Sequence, residues 1–112
     1  MALLTVRCIT INAVNPTALA AFWAELVGGV PADSCNGFIL LEPGEGRVPL
    51  LFQQSEETDQ RRGWIHLDCS VADLEAAIGR IEELGGRLVE RRRDSSGAWV
   101  VMADPEGNPF CI

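Results

Sequence analysis

The chain has 112 residues, a 47% apolar fraction, 22% charged residues and a net charge of −7, which suits one soluble globular domain. An acidic surface repels phosphate backbones, so nucleic acid is excluded as a partner, and no apolar run approaches the roughly 20 residues of a membrane helix. The absence of a charged-then-apolar leader makes the cytoplasm the expected location. Every one of the nine basic residues is arginine, a bias that hints at a GC-rich bacterial gene.

Residues 6–13 alternate, with Ile9, Ile11 and Ala13 on one side and Cys8, Thr10 and Asn12 on the other. This is a half-buried strand whose apolar side should face a helix. Asn15-Pro16 starts that helix, Asn as N-cap and Pro in the first turn, and Leu19, Phe22, Trp23 and Leu26 form its apolar stripe. Gly28-Gly29 ends it. Residues 37–42 and 47–54 then flank Pro43-Gly44-Glu45-Gly46, a hairpin by its turn chemistry. Residues 55–63 are polar and read as a linker, in which Glu56 and Glu57 are solvated.

The pattern then repeats. Ile65, Leu67, Cys69 and Val71 form an apolar side, which marks Cys69 as core and leaves His66, Asp68 and Ser70 opposite. Asp73 opens a helix striped by Leu74, Ile78, Ile81 and Leu84, and Gly85-Gly86 closes it. Residues 98–103 and 108–112 flank Asp104-Pro105-Glu106-Gly107 as a second hairpin. Fifty-eight positions separate Cys8 from His66, Ala18 from Ala76, Glu25 from Glu83 and Gly28 from Gly86. A strand, a helix and three further strands given twice predict an α+β fold of two tandem βαβββ modules. Module one spans about 1–54 and module two about 64–112, within a single domain.

Four-residue hairpin loops would set Phe38 opposite Leu51 and Val100 opposite Cys111, and directly paired residues share a sheet face. Cys8, His66 and Cys111 then fall on faces turned away from the helices, with Gln53, Asp68, Phe38, Leu51, Val100 and Met102. Trp99 should face the helix side, whereas Trp64 could cap a cleft or a dimer contact. Arg91-Arg92-Arg93 is either a solvated edge or an anion clamp.

AVNPTALAAFWAELVGG, LLFQQ, WIHLDCSVADLEAAIGRIEELGG and WVVMADPEGNPFCI together resemble the vicinal oxygen chelate superfamily, the glyoxalase and bleomycin-resistance fold. The resemblance covers almost the whole chain and implies a cleft between the two sheets. Metal-using relatives place one ligand on the first strand of each module and a carboxylate near the end of each last strand. Carried over, these positions are Cys8, Leu51, His66 and Cys111; only His66 is of the expected type and both carboxylates are missing. No metal is therefore expected, although a divalent ion on Cys8, His66 and Cys111 stays open as an alternative.

His66 is either a hydrogen-bonded structural residue or a base, acid or ligand. The cysteines are either small hydrophobes, soft zinc ligands, or a nucleophile activated by His66, with Cys8 the candidate beside it. The sequence thus predicts a protein that binds a small, largely apolar organic molecule, with His66 and Cys8 as candidates for metal-independent catalysis. The alternative is a metal-dependent lyase or isomerase of the glyoxalase type. A chain this short also predicts a homodimer.

Overall fold

A computed structural model of the chain describes residues 6–34, 37–55, 66–95 and 97–112. The linker glutamates Glu56 and Glu57, and Trp64, lie outside the described residues. Two compact units emerge, Met1–Thr58 and Asp59–Ile112.

The first module contains β1 (Ile9–Ala13), α1 (Pro16–Val27), β2 (Ala32–Asp33), β3 (Ile39–Leu41) and β4 (Leu50–Gln54). Its sheet has the order β1-β4-β3-β2, with β1 parallel to β4 and the other neighbours antiparallel. Asn15 caps α1 as its spelling requires, its side chain accepting from the Ala18 N–H at 3.1 Å. Leu19, Ala20, Phe22 and Trp23 bury one helix face, and Phe22 meets Trp23 edge to face at 5.6 Å. The strand residues buried in this module are Ala13, Ile39, Leu41, Leu50 and Phe52. They share one sheet face by register and pack toward α1. The face away from α1 carries Thr10, Asn12, Leu40, Leu51 and Gln53.

The second module repeats the plan with β5 (Leu67–Asp68), α2 (Leu74–Glu83), β6 (Arg87–Asp94), β7 (Gly97–Ala103) and β8 (Pro109–Cys111). The order β5-β8-β7-β6, with β5 parallel to β8, matches the first sheet. Asp73 caps α2 through the Ala76 N–H at 3.1 Å. Gly86 is demanded by space, because a Cβ there would lie 2.6 Å from the Ile81 side chain and 3.0 Å from the Ala103 carbonyl. Arg91 stands opposite Val100 and makes a bidentate pair with Glu75 on α2, at 2.8 and 3.0 Å. The α2 face of this sheet is therefore the one that buries Val100, Met102 and Phe110. The two sheets and two helices make the α+β architecture of duplicated βαβββ modules that the sequence predicts.

The second hairpin corrects the predicted register. Val101, not Val100, stands opposite Cys111, and Val100 exchanges backbone hydrogen bonds with Ile112. Asp104 pairs with Asn108, its N–H donating to the Asn108 carbonyl at 2.9 Å, so the loop has three residues and not four. The Gly107 N–H closes a turn on the Asp104 carbonyl at 2.8 Å, and Gly107 takes φ +87°. That is the three-residue hairpin loop, a tight turn followed by a left-handed residue. Because side chains alternate, one residue of slip exchanges the faces of the whole strand. Val100 and Met102 therefore belong to the core, and Trp99 joins Val101 and Cys111 on the open face. The first hairpin is also longer than predicted: Leu41 pairs with Leu50 and Leu40, rather than Phe38, stands opposite Leu51. That slip is of two residues and leaves every face unchanged.

Candidate functional site

The open face of the second sheet is built by its four strands. Asp68 on β5 is the register partner of Cys111 on β8, which is the partner of Val101 on β7. His66 precedes Asp68 by two residues and so projects to the same side. On β6 a bulge at residues 88–90 shifts the register and sets Glu90 opposite Val101, while Arg92 stands opposite Trp99. This face holds an open concavity of about 610 Å³, with Trp99, Val101, Pro109 and Ile112 as its apolar wall. His66, Asp68, Cys69, Arg92 and Cys111 supply the polar lining.

The His66 imidazole Nε2 lies 3.2 Å from the Asp68 Oδ1, with side chains 44% and 78% exposed. Burial pushes the Cys111 thiol above its ordinary pKa, and Asp68 pushes it further by repelling a thiolate and by accepting the S–H hydrogen bond. Arg92 pulls in the opposite direction and is the smaller influence. Cys69 is raised in the same way, by burial first, then by Asp68 and Cys111. Both thiols are thus held protonated at neutral pH, which disfavours either as a ready nucleophile. Arg92 is fixed by Glu90, its Nε donating to the carboxylate at 2.8 Å.

Of the sequence candidates, His66, Asp68 and Cys111 come together. Cys69, expected in the core, is half-buried and lines the concavity, because β5 ends at Asp68 and the chain no longer alternates there. Val100 and Met102 are on the opposite face and are buried. Cys8, Phe38, Leu51 and Gln53 belong to the first module; the Cys8 Sγ sits 4.0 Å from the Thr10 Oγ1. Trp99, Val101 and Pro109 were not among the candidates, whereas Arg92 belongs to the arginine run read as either a solvated edge or an anion clamp. The Asp-Pro-Glu-Gly spelling, with Asp, Pro and Gly at the turn positions that favour them, held the signal for the correct register.

Residues 8–112 match the family model of the glyoxalase-like domain. The chain belongs to this family, within the vicinal oxygen chelate superfamily. Solved structures extend the likeness over nearly the whole chain. The glyoxalase family protein from Enterococcus faecalis is 24% identical, with a TM-score of 0.69, covering 96% of this chain and 94% of its own. A variant of the fosfomycin resistance protein FosX from Listeria monocytogenes, complexed with Mn(II) and 1S,2S-dihydroxypropylphosphonic acid, is 14% identical at a TM-score of 0.75. There 96% of this chain and 86% of that one align. A glyoxalase/bleomycin resistance protein/dioxygenase family enzyme from Burkholderia phytofirmans PsJN is 18% identical at 0.68, covering 96% and 95%. No curated protein gives a significant match. Among the described residues no helix is long and apolar enough to cross a membrane.

The resemblance implies a carboxylate ligand near the end of each module's last strand, and the chain can be tested against that chemistry. Leu51, the first-module counterpart of Cys111, has no donor atom. Cys111 offers sulfur where a carboxylate would stand. The residues do not fit an oxygen-loving ion such as magnesium or manganese.

Proposed function

We propose that this glyoxalase-like protein binds a small organic molecule on the open face of its second module. The apolar body of the ligand lies against Trp99, Val101 and Pro109, and an anionic or strongly polar end reaches Arg92 and His66. The observation that carries this reading is the concavity itself, apolar over most of its wall, with polar groups at its two edges, Arg92 on β6 and His66 and Asp68 at β5. That combination suits a small ligand fixed by a few polar contacts. Arginine presents a planar fork suited to carboxylate or phosphonate, and the FosX relative is complexed with a small phosphonic acid. Protonated thiols support binding, with any chemistry passing through His66 rather than a cysteine nucleophile.

A panel of small carboxylates and phosphonates, with and without an apolar body, tests the proposal by native mass spectrometry and isothermal titration. Compounds carrying both parts should bind one per chain. Arg92→Ala should weaken binding about tenfold or more, as loss of a charge-assisted hydrogen bond does. Trp99→Ala should weaken chiefly the compounds with the larger apolar body. Absence of binding across the panel, or affinities untouched by either substitution, would overturn the reading.

A further inference from the structure

We infer that the small molecule taken by the second module is amphoteric, with a carboxylate or phosphonate held by Arg92 and a protonated amine held by Asp68 at the other end of its apolar body. This rests on the ligand proposed for that face and names the group carried at its second end. Arg92 and Asp68 stand on the two outer strands of the sheet, β6 and β5, and the apolar wall of Trp99, Val101 and Pro109 lies on β7 and β8 between them.

Charge decides what each edge wants. Leaving aside His66, the charged side chains that line the concavity are Arg92 and Asp68, and their signs are opposite. Arg92 already has a carboxylate partner in Glu90, which takes its Nε at 2.8 Å and leaves the two Nη nitrogens to donate to a ligand. Asp68 has no matching cation, since among the described residues no arginine pairs with it. Its carboxylate is 78% exposed, meets the His66 Nε2 at 3.2 Å and accepts the Cys111 S–H. A neutral imidazole and a thiol donate hydrogen bonds without cancelling that charge, and a carboxylate offers about four acceptor sites, so Asp68 has room for a further donor. A purely anionic ligand would sit in the same concavity as this uncompensated carboxylate and lose affinity to repulsion. An ammonium placed there turns the repulsion into attraction.

Spacing decides how far apart the two ends lie. The outer strands of a four-stranded sheet are roughly 14 Å apart at the backbone. Arg92 shortens that gap with its long side chain, whose charge is felt at the Cys111 thiol two strands away. An α-amino acid carries both charges on one carbon and cannot serve both edges, whereas an amine and an acid at opposite ends of a ring or short chain can. The same layout selects against close analogues. A diacid would set its second carboxylate against Asp68, and a diamine its second ammonium against Arg92.

Isothermal titration of the full chain with three probes of similar size tests this. They are para-(aminomethyl)benzoate, para-methylbenzoate, which lacks the amine, and terephthalate, which replaces it with a second acid. The amine compound should bind about tenfold or more tighter than para-methylbenzoate, as a gained charge-assisted hydrogen bond does, and terephthalate should bind most weakly. Asp68→Asn keeps the side chain's shape without its charge and should bring the ratio of the first two toward one, with unchanged circular dichroism showing that the variant folds. Equal wild-type affinity for the first two probes, terephthalate bound as tightly as the amine compound, or an amine preference that persists in Asp68→Asn would each overturn the inference. Binding of para-methylbenzoate that depends on Arg92 but gains nothing from the amine overturns the inference and leaves the ligand proposal standing. No binding by any of the three probes overturns the inference, and failure of the wider acid panel as well overturns the ligand proposal with it.

Discussion

The two modules share a scaffold and differ in chemistry. Strand order, parallel first pairing and helix capping by Asn15 and Asp73 are the same in both. The register makes the comparison residue by residue: Thr10 pairs with Leu51 as Asp68 pairs with Cys111, and Cys8 and His66 each precede their strand by one residue. The three positions that hold Cys8, Thr10 and Leu51 in the first module hold His66, Asp68 and Cys111 in the second. One set has no charged member, whereas the other joins an imidazole, a carboxylate and a thiol within 4.8 Å. The buried faces of the two modules correspond while the open faces differ, and the imidazole, carboxylate and thiol stand together on the second. The two helices differ too. The first buries Leu19, Ala20, Phe22 and Trp23, while the second buries Ile78 and Ile81 and adds the Glu75–Arg91 pair.

The equivalence of the buried faces can be broken most directly at matched core positions. Leu50 pairs with Ile9 as Phe110 pairs with Leu67, and both are at most 5% exposed. Phe110→Ala should cost about 3–5 kcal/mol and Leu50→Ala about 2–5 kcal/mol. Urea unfolding of each variant reads both. A loss under about 1 kcal/mol at one site beside a full loss at the other would show that the modules do not rest on equivalent cores.

What the sequence disclosed follows the same division. Periodicity and caps are local signals, and they located β1, both helices and both helix ends. The resemblance placed His66 and Cys111, and strand alternation placed Asp68 beside them. The register of the second hairpin was misread because the backbone of Asp104 pairs with Asn108, which shortens the loop from four residues to three. That single parity error sent Val100 and Met102 to the wrong face and hid Trp99 and Val101. The arginine run was read as a possible anion clamp, but Arg92 could not be singled out within it. In a run of three arginines, only the bulge at residues 88–90 and the pairing with β7 decide which guanidinium faces α2 and which faces the concavity.

Among the described residues of the first module, the hairpin turn that causes this slip has no counterpart. Asp104 is 2% exposed and its Oδ1 accepts from the Glu106 and Asn108 backbone N–H groups at 3.0 and 2.9 Å. The Asn108 side chain adds a donation to the Asp104 Oδ2 at 2.8 Å. The first hairpin instead spans residues 42–49 and holds a longer 3.3 Å backbone contact between the Arg47 N–H and the Gly44 carbonyl. Asp104→Ala should therefore cost about 1–3 kcal/mol by leaving donors unpaired. Hydrogen exchange should quicken at Val101 and Cys111 while Leu40 and Leu51 keep their protection. Equal quickening in both hairpins would show that the Asp104 turn does not act locally.

The smallest expected effect concerns how α2 is held. The Arg91 hydrogen bonds and charge keep the Glu75 carboxyl below its ordinary pKa, with desolvation and Asp73 opposing them. A carboxylate that titrates lower in the folded chain than in the unfolded one stabilises the fold above the unfolded value, about 4.3 for glutamate. That contribution disappears as pH falls through the depressed folded value. Both partners are more than half exposed, so the pair is weak and sensitive to salt. Glu75→Gln should lower stability slightly at neutral pH and flatten its decline on acidification. The two curves should converge at low pH, where the wild-type carboxyl is protonated, and added salt should narrow the gap at neutral pH. Chemical unfolding at a series of pH values measures the difference. Curves that run parallel down to low pH would mean that Ile78 and Ile81 dock α2 without help from the ion pair, which would bring the second helix closer to the first in how it is held.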